Sequence, residues 1–308
     1  MKYFNCTMRS LCFIAGSMIL LSSCYGVRKA KLQHLIARTN AQQVNEQSMI
    51  EKIEEQKNTR RNNGDIDSTI DAKIQERLNQ GSRGTDSVKE FTAALSASLE
   101  NRKTFRKTYR SIIKSKIIFL RSKEEMFEKR VLNYGLIEDV LNNARQSQFD
   151  LASFFGLGEF MIPADKMEQA TVAFAPIVDS IMKLAAKYPS IAKNSTIVLK
   201  GYADATGIVP GSVLFYRLAN ELGQDNPSDA DMNLALSKLR AESISEVVSK
   251  ILVKKQRELL QLQTIITIEL VQEGRGEEKP NAAITNYTAQ DARRRIVLLF
   301  WSMLPQNI

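Results

Sequence analysis

The spacing of apolar residues changes near residue 148, and this change divides the chain into two kinds of structure. Before it, apolar side chains recur every three or four positions, most clearly from Val88 to about Asn133, as on one face of a helix. After it, short apolar runs typical of strands alternate with helical stretches. A chain of 308 residues has room for about two domains. The pattern therefore predicts a helical N-terminal part followed by a mixed α and β domain.

The C-terminal half contains strand-like runs and amphipathic helices in a recognisable order. The helices are predicted at Lys166–Tyr188, which ends before Pro189, and at about Asn233–Val253. The strands are predicted at Gln148–Phe155, Ser195–Tyr202, Thr264–Val271 and Arg295–Trp301. The resulting order β-α-β-α-β-β indicates an α+β sandwich, with helices on one face of one sheet.

The first 24 residues have the parts of a bacterial secretory signal. Lys2 and Arg9 give a positive start, and Leu11–Leu21 is an apolar run. This run is shorter than the ~20 residues that span a bilayer, so a cleaved signal is favoured over an uncleaved anchor. The ending Leu21-Ser22-Ser23-Cys24 resembles a lipobox, in which small residues precede the cysteine that accepts the lipid. We therefore expect a signal peptide at residues 1–23 and lipidation at Cys24; the alternative is a chance cysteine.

The residue after Cys24 bears on the membrane that the lipid would enter. Tyr25 occupies the position where the inner-membrane retention signal has Asp, and no acidic cluster follows it. We therefore expect an anchor in the outer membrane that faces the periplasm.

Cysteine and histidine usage argues against an enzyme. Cys6 and Cys12 lie in the predicted signal peptide, so no disulfide framework or cysteine metal site would remain. His34 is the only histidine and precedes the globular half, where a zinc hydrolase or a Ser-His site would need one. The sequence therefore predicts a protein that is not an enzyme and has no metal and no cofactor.

Residues 24–147 are predicted to form a mostly α-helical stalk. Breaks are expected at Asn58–Asp65 and at Gln80–Thr85, with Asp86 capping the long helix and a bend at Gly135. The apolar stripe has two candidate partners, and the hairpin is favoured over the coiled coil because strict heptads are not sustained. One is the chain itself, as a helical hairpin, and the other is a second copy or another envelope protein in a coiled coil.

The positive charge of the chain is concentrated in this stalk. Residues 25–147 hold 24 Lys and Arg against 16 Asp and Glu, whereas residues 148–308 hold 17 against 18. The stretch Arg102–Arg130 alone has eleven basic and three acidic residues. A solvated helical face explains this excess, and contact with anionic lipid, cell-wall polymer or a protein is the alternative. Nucleic acid is not an expected partner, because the globular half is nearly neutral and no recognition motif occurs.

Four motifs follow one another in the C-terminal half. They are GYADATG at 201–207, NLALSKLRA at 233–241, GRGEEKP at 274–280 and RRRIV at 293–297. These resemble the G-x-T-D-x-x-G, N-x-x-L-S-x-x-R-A, G-x-G-E-x-x-P and N-R-R-V patterns of the OmpA-like (OmpA/MotB C-terminal) peptidoglycan-binding domain family. The resemblance covers roughly residues 148–301, about half of the chain. It implies an OmpA-like domain over residues 148–308.

The resemblance also implies a ligand and the residues that hold it. The family binds the diaminopimelate of the peptidoglycan peptide stem, which carries an ammonium group and carboxylates. Asp204 would accept hydrogen bonds from the ammonium group, and the Arg240 guanidinium would bind a carboxylate through two hydrogen bonds. Thr206 and Asn233 would add hydrogen bonds near the carboxylate, and Arg294 would shape the far wall of the pocket. Taken singly, Asp204 is also typical of a turn and Arg240 of a helix surface.

The sequence departs from the family pattern at three places. Ala203 replaces a threonine, and Arg293 stands where Asn or Asp is usual. The stretch from about residue 208 to 231 is an insertion, with a short helix predicted at Val213–Leu222. This insertion could cover the pocket or face a partner.

The sequence thus predicts a non-catalytic outer-membrane lipoprotein that binds peptidoglycan and tethers the outer membrane to the cell wall. The long stalk and the insertion favour an alternative, a wall-anchoring component of a secretion or motility machine that docks through its stalk.

Overall fold

The computed structural model describes residues 4–100, 114–144, 147–150, 154–155, 159–261, 266–281 and 284–308. The helices in these ranges are α1 (Phe4–Asn62), α2 (Ser68–Glu100), α3 (Lys114–Asn143), α4 (Met167–Lys187), α5 (Val213–Leu222) and α6 (Asp229–Gln261). The strands are β1 (Ser147–Asp150), β2 (Lys193–Gly201), β3 (Ile266–Gly274) and β4 (Ile296–Pro305). In the described parts of the chain, no helix is both long and apolar enough to cross a membrane.

The chain divides into two compact units. The helical unit contains the residues up to Glu51 together with Leu78–Leu132. The sheet unit contains Lys52–Arg77 together with Asn133–Ile308. The segment 52–77, which comprises the end of α1, the turn after it and the start of α2, thus belongs with the sheet.

The described helices of the helical unit pack against one another around a small apolar cluster. Its buried members are Leu32, Ile36, Leu95, Leu99 and Leu120. A buried ion pair adds to it, because Arg130 Nη2 lies 3.0 Å from Glu46 Oε2. The apolar stripe of the sequence therefore finds a partner within this chain. The predicted stripe positions at residues 105–113 lie outside the described residues.

The predicted break at Gln80–Thr85 is wrong, and so is the predicted N-cap at Asp86. Helix α2 is continuous from Ser68 to Glu100. Gly81 and Gly84, which predicted the break, both lie within the helix. Gly84 lies against Arg130, because a Cβ at that position would be 2.8 Å from Arg130 Nη1. A small residue therefore lets Arg130 pass α2. Similarly, α3 continues through Gly135 to Asn143 as one helix rather than two.

The sheet unit is built on four strands in the order β1-β4-β2-β3. Strand β4 pairs antiparallel with β1 and with β2, whereas β2 and β3 are parallel. The predicted order β-α-β-α-β-β is confirmed, with α5 as an extra helix. Parts of two predicted strands, at residues 151–153 and 264–265, lie outside the described residues.

Helices α4 and α6 cover one face of the sheet. Strand residues alternate between the two faces, so every second residue of β2 and β4 points at these helices. The main buried cluster on this face includes Phe174, Val178, Ile181, Ile197, Leu199, Ile244, Val247, Val248, Val297, Leu299 and Trp301. Each such side chain contributes about 1.5–3 kcal/mol when it is fully buried, so this layer supplies much of the folding energy.

The opposite face of the sheet is also covered, which the sequence did not predict. Val198 and Phe300 point away from α4 and α6, yet they are 0% and 6% exposed. Segment 52–77 lies on this face: Lys73 Nζ donates to Thr196 Oγ1 at 2.9 Å, and Asp67 forms an ion pair with Lys200. The sheet is therefore the middle layer of three.

Candidate ligand-binding site

Two glycines let helix α6 approach the ends of β2 and β3. Gly201 and Gly274 are paired across the two strands. A Cβ on Gly201 would lie 2.1 Å from the Ser237 carbonyl oxygen, and one on Gly274 would lie 2.5 Å from the Leu234 carbonyl oxygen. Only glycine fits at such distances from backbone atoms. Gly201 and Gly274 are the first residues of the motifs at 201–207 and 274–280. They therefore allow these two motifs to contact helix α6, which carries the motif at 233–241.

Backbone hydrogen bonds fix the segment that carries Asp204. Beyond the end of β2, Tyr202 N donates to Ile296 O at 2.9 Å and Ala203 N donates to Gly276 O at 2.7 Å. Ser237 Oγ accepts from Gly276 N at 2.9 Å and ties α6 to the same loop. All four motifs therefore meet at one end of the sheet, and Asp204 is held on a main-chain frame.

Asp204 faces an arginine that the sequence did not single out. Arg295 Nε lies 3.6 Å from Asp204 Oδ2, and these two side chains are 30% and 15% exposed. Arg295 Nε is itself buried and has no hydrogen-bond partner among the described residues. The pair is thus held by charge, since 3.6 Å is too long for a good hydrogen bond.

Arg240 is buried beside this pair. It is 7% exposed, its Nε donates to Glu159 O at 3.0 Å, and its guanidinium lies 5.7 Å from the centre of the Phe155 ring. Burial lowers the pKa of Arg240 to about 10; the charge of Asp204 opposes this shift, and that of Arg295 adds to it. Asp204 is therefore close enough for its charge to act on Arg240. The described residues accept no hydrogen bond from the two terminal nitrogens of Arg240.

The other predicted site residues line the same end of the unit. Asn233 is 2% exposed and donates to Thr206 O at 3.2 Å and to Glu277 Oε1 at 2.9 Å. Arg294 donates to the carbonyl oxygens of Glu277 and Thr288. Both side chains thus fasten loops, whereas the Thr206 side chain is exposed. The structure brings all five predicted residues to one region, and their contact with a ligand stays a prediction.

The insertion packs beside the site on a separate stripe of α6. The predicted helix at Val213–Leu222 is confirmed as α5, which is capped by Ser212 Oγ at Phe215 N. Its cluster contains Ile208, Leu218, Met232, Ala235 and Leu236, with Phe160 against it. Asn233, Ser237 and Arg240 have helical spacing on the adjacent stripe. Asp229 Oδ1 closes the base of the insertion by accepting from Ile208 N at 3.2 Å.

Arg295, Phe155 and Glu159 are the parts of the site that sequence reasoning missed. Arg295 had a visible signal, because it is the second arginine of the R-R pair in the fourth motif. Phe155 and Glu159 had no such signal. Glu159 contacts Arg240 through its backbone carbonyl, which any residue type has, and no motif marks the ring of Phe155 as a neighbour of Arg240. Among the described residues, no group of three His, Cys, Asp or Glu side chains could hold a metal ion.

Comparison with known proteins gives only distant structural similarities. No family model and no curated protein matches the sequence. A crystal structure of a MotB-like protein from Desulfovibrio vulgaris aligns at 13% identity and a TM-score of 0.29, covering 51% of this chain and 74% of that one. The peptidoglycan-associated lipoprotein from Burkholderia pseudomallei aligns at 15% identity and a TM-score of 0.26, covering 49% and 88%. An outer membrane protein from Borrelia burgdorferi B31 aligns at 16% identity and a TM-score of 0.23, covering 51% and 85%. Identities and TM-scores this low carry no argument about the function of this chain.

Proposed function

We propose that this protein is a non-catalytic outer-membrane lipoprotein whose sheet unit binds peptidoglycan and so tethers the outer membrane to the cell wall. The observation that carries the proposal is the meeting of Asp204 and Arg240 at one end of the sheet. They come from motifs 36 positions apart, and the charge of Asp204 opposes the lowering of the Arg240 pKa by burial. The four-motif resemblance to the OmpA-like family supports the same reading.

The charges at this end match the diaminopimelate of a peptide stem. Diaminopimelate offers an ammonium group and carboxylates on a short chain. Asp204 is an anion held on a rigid backbone frame, so it suits the ammonium group. The guanidinium of Arg240 is buried near the Phe155 ring, and its terminal nitrogens suit a carboxylate, which arginine binds through two parallel hydrogen bonds.

The remaining motif residues would mainly hold the walls of the site in place, whereas Asp204 and Arg240 would contact the ligand directly. Asn233 and Arg294 already hold Thr206, Glu277 and Thr288 in place through hydrogen bonds. Their loss would therefore loosen the walls of the site. Thr206, whose side chain is exposed, is the residue in this group that is free to approach a ligand.

The membrane end of the tether is proposed from the sequence. Acylation of Cys24 after removal of residues 1–23 would hold the chain in the outer membrane, with the rest in the periplasm. Labelling with a radioactive fatty acid in cells tests this step, and Cys24→Ser must abolish the label. Label retained in that variant contradicts the lipidation site.

Co-sedimentation with purified cell-wall sacculi tests the wall-binding site. The chain from Tyr25 to Ile308 is mixed with sacculi and pelleted, alongside Asp204→Asn and Arg240→Gln. Loss of a hydrogen bond to a charged partner costs roughly 1.5–3 kcal/mol, so each variant must bind about tenfold or more weakly. Arg293→Gln is the matched control, because Arg293 is in the same motif but is itself half-exposed and pairs with Asp291. Wild type that stays in the supernatant contradicts wall binding, and unaffected variants contradict the site.

The alternative function, a component of an envelope machine docked through its stalk, is favoured by one feature of the helical unit. A groove of about 750 Å³ runs between α1 and α2 and is lined by residues such as Asn40, Gln43, Thr92 and Ser96, with exposed Val44 at its edge. Ala93 also lines this groove. A partner seated there must be displaced by Ala93→Arg, which crosslinking in intact envelopes followed by purification would detect. An unchanged crosslinking pattern argues against this alternative.

A further inference from the structure

We propose that Asp67, in the turn between α1 and α2, is a positioning residue for the ligand site, because it holds Lys200 and so leaves Glu273 to anchor the loop that follows β3. This inference rests on the proposed function and names a control over the same site. It makes ligand affinity depend on the docking of segment 52–77 against the sheet.

The turn fixes the position of the Asp67 carboxylate. Asp65 N donates to Arg60 O at 2.9 Å, and Arg60 Nη1 donates to Asp65 Oδ2 at 3.1 Å, so backbone and side chain both close the turn. Asp67 Oδ1 then caps α2 by accepting from Thr69 N at 2.7 Å. The other oxygen, Oδ2, forms the ion pair with Lys200, and both side chains are buried. The turn therefore presents one fixed anion to the sheet.

Lys200 lies between two carboxylates. Among the described residues its ion-pair partners are Asp67, which is the nearer, and Glu273, whose Oε2 lies 3.6 Å from Lys200 Nζ. The same Oε2 accepts from Arg275 Nη2 at 2.6 Å, so the closer contact of Glu273 is with Arg275. Charges attract more strongly at shorter distance and where water is excluded. A buried Lys200 that lacked Asp67 would therefore draw Glu273 away from Arg275.

Arg275 begins the loop that forms one wall of the ligand site. It is the first residue beyond β3, and its backbone N donates to Gly201 O at 2.8 Å. The next residue, Gly276, accepts through its carbonyl oxygen from Ala203 N at 2.7 Å. Ala203 directly precedes Asp204. A shift of Arg275 would therefore move the backbone frame that holds Asp204.

The buried side chain of Tyr202 connects the turn with this loop. Tyr202 lies two positions before Asp204 in the chain. Burial raises the pKa of its hydroxyl. The charges that modify this shift belong to Arg275, Glu278, Asp67 and Glu273. The turn and the end of β3 therefore both act on a side chain that adjoins the segment carrying Asp204.

Calorimetric titration with a synthetic tripeptide tests the inference through a double-mutant cycle. The probe is L-Ala-γ-D-Glu-meso-diaminopimelate, and the protein is the chain from Tyr25 to Ile308, with each variant first shown to be folded by circular dichroism. Asp67→Asn must bind about fivefold or more weakly than wild type, at the lower end of the usual range for coupling between separate sites. Lys200→Met and the double variant must bind within about twofold of wild type, because no lysine is left to compete for Glu273.

These affinities are not expected to follow stability. Lys200→Met leaves the buried Asp67 carboxylate without its partner, so this variant must be less stable than wild type although it binds well. A purely structural role of the ion pair would instead weaken binding in both single variants. The comparison of Asp67→Asn with Lys200→Met therefore separates positioning from folding.

A second pair of variants tests the step from Glu273 to the loop. Glu273→Gln removes the ion pair with Arg275 directly, so it must bind the tripeptide about fivefold or more weakly. Glu269→Gln is the matched control, because it lies four residues earlier on β3 and breaks another contact of segment 52–77, the ion pair with Lys73. This control must bind like wild type.

The outcomes separate this inference from the proposed function. Wild type that does not bind the tripeptide overturns both. Wild type that binds, together with an Asp67→Asn variant of the same affinity, overturns the inference alone. Weak binding by both Asp67→Asn and Lys200→Met assigns the loss to folding stability and also overturns it. If Asp67→Asn does not fold, Glu273→Gln and Glu269→Gln decide, and equal affinity of these two overturns the inference.

Discussion

The buried ion pair between Asp67 and Lys200 should be among the most sensitive points of the sheet unit. The two side chains are 2% and 11% exposed, so both charges have lost nearly all contact with water. Asp67→Asn removes one charge and keeps the N-cap of α2, where Asp67 Oδ1 accepts from Thr69 N at 2.7 Å. Lys200 then remains buried with Glu273, 3.6 Å away, as its other partner. Removal of one member of a buried pair costs about 3–5 kcal/mol, and Glu273 moves the expected loss to the lower end, about 3 kcal/mol.

Urea unfolding of the chain from Tyr25 to Ile308 measures this loss. Glu242→Gln is the matched control, since it breaks the exposed pair with Lys238 and should cost less than about 1 kcal/mol. The double variant Asp67→Asn, Lys200→Met should recover most of the stability, because no buried charge is then left alone. A loss for Asp67→Asn as small as that of the control would refute the reasoning.

The same pair predicts a pH dependence with a definite sign. Burial by itself raises the pKa of Asp67, but the hydrogen bonds from Lys200 and Thr69 N and the Lys200 charge outweigh it, and the net pKa lies below the usual value. A carboxyl whose pKa is lowered by folding stabilises the fold above its unfolded pKa of about 3.9, and this contribution disappears as the pH falls through the folded pKa. The stability difference between wild type and Asp67→Asn should therefore shrink below about pH 4.

Two further perturbations test other layers of the sheet unit. Gly201→Ala should lower the free energy of unfolding by about 3 kcal/mol and abolish co-sedimentation with sacculi, because the new Cβ would lie 2.1 Å from Ser237 O. Gly135→Ala is the control, since its Cβ would lie at an ordinary contact distance of 3.6 Å from Tyr188 Oη. This variant should gain up to about 1 kcal/mol from the higher helix propensity of alanine. Thermal unfolding compares them, and equal effects would refute the close approach at Gly201. Burial lowers the pKa of Lys193 from 10.5 to about 8. Between these two pH values the unfolded chain holds a proton on Lys193 that the folded chain has lost. The free energy of unfolding should therefore rise with pH in this range. Lys193→Met should remove this rise in urea unfolding at several pH values, and a rise that persists would assign it to other groups.

Sequence patterns predicted well the helices and strands that bury one face, because burial of one face sets the spacing of their apolar residues. Helix α4 and strand β2 each present such a face to the main cluster, and their predicted bounds lie within two residues of the observed ones. The insertion helix α5 was predicted to the residue, since Ser212 and Gly223 mark its two ends locally. In these cases local chemistry and tertiary packing require the same conformation.

The errors and omissions have a different origin, because they depend on residues distant in the chain. Gly81 and Gly84 favour a break locally, yet α2 is continuous through both, and Gly84 lies against the side chain of Arg130, which comes from another helix. The covering of the second sheet face depends on polar contacts such as Lys73 with Thr196, which are 123 residues apart. Arg295 stood inside a known motif, but its ion pair joins it to Asp204, which lies 91 positions earlier in the chain. No window of sequence contains such pairs, so pattern reasoning cannot find them.

The covering of the sheet by segment 52–77 has a consequence for the order in which the protein can fold. Lys73 ends up hydrogen-bonded to Glu269, 196 residues later in the chain. Ribosomes add about 5–20 residues per second, so Lys73 leaves the ribosome roughly 10–40 s before its partner exists. During that interval the apolar residues Ile66, Ile70 and Ile74, which are at most 5% exposed in the finished fold, have no sheet to pack on. The apolar face of segment 52–77 therefore stays without its sheet partner until strand β3 has been made.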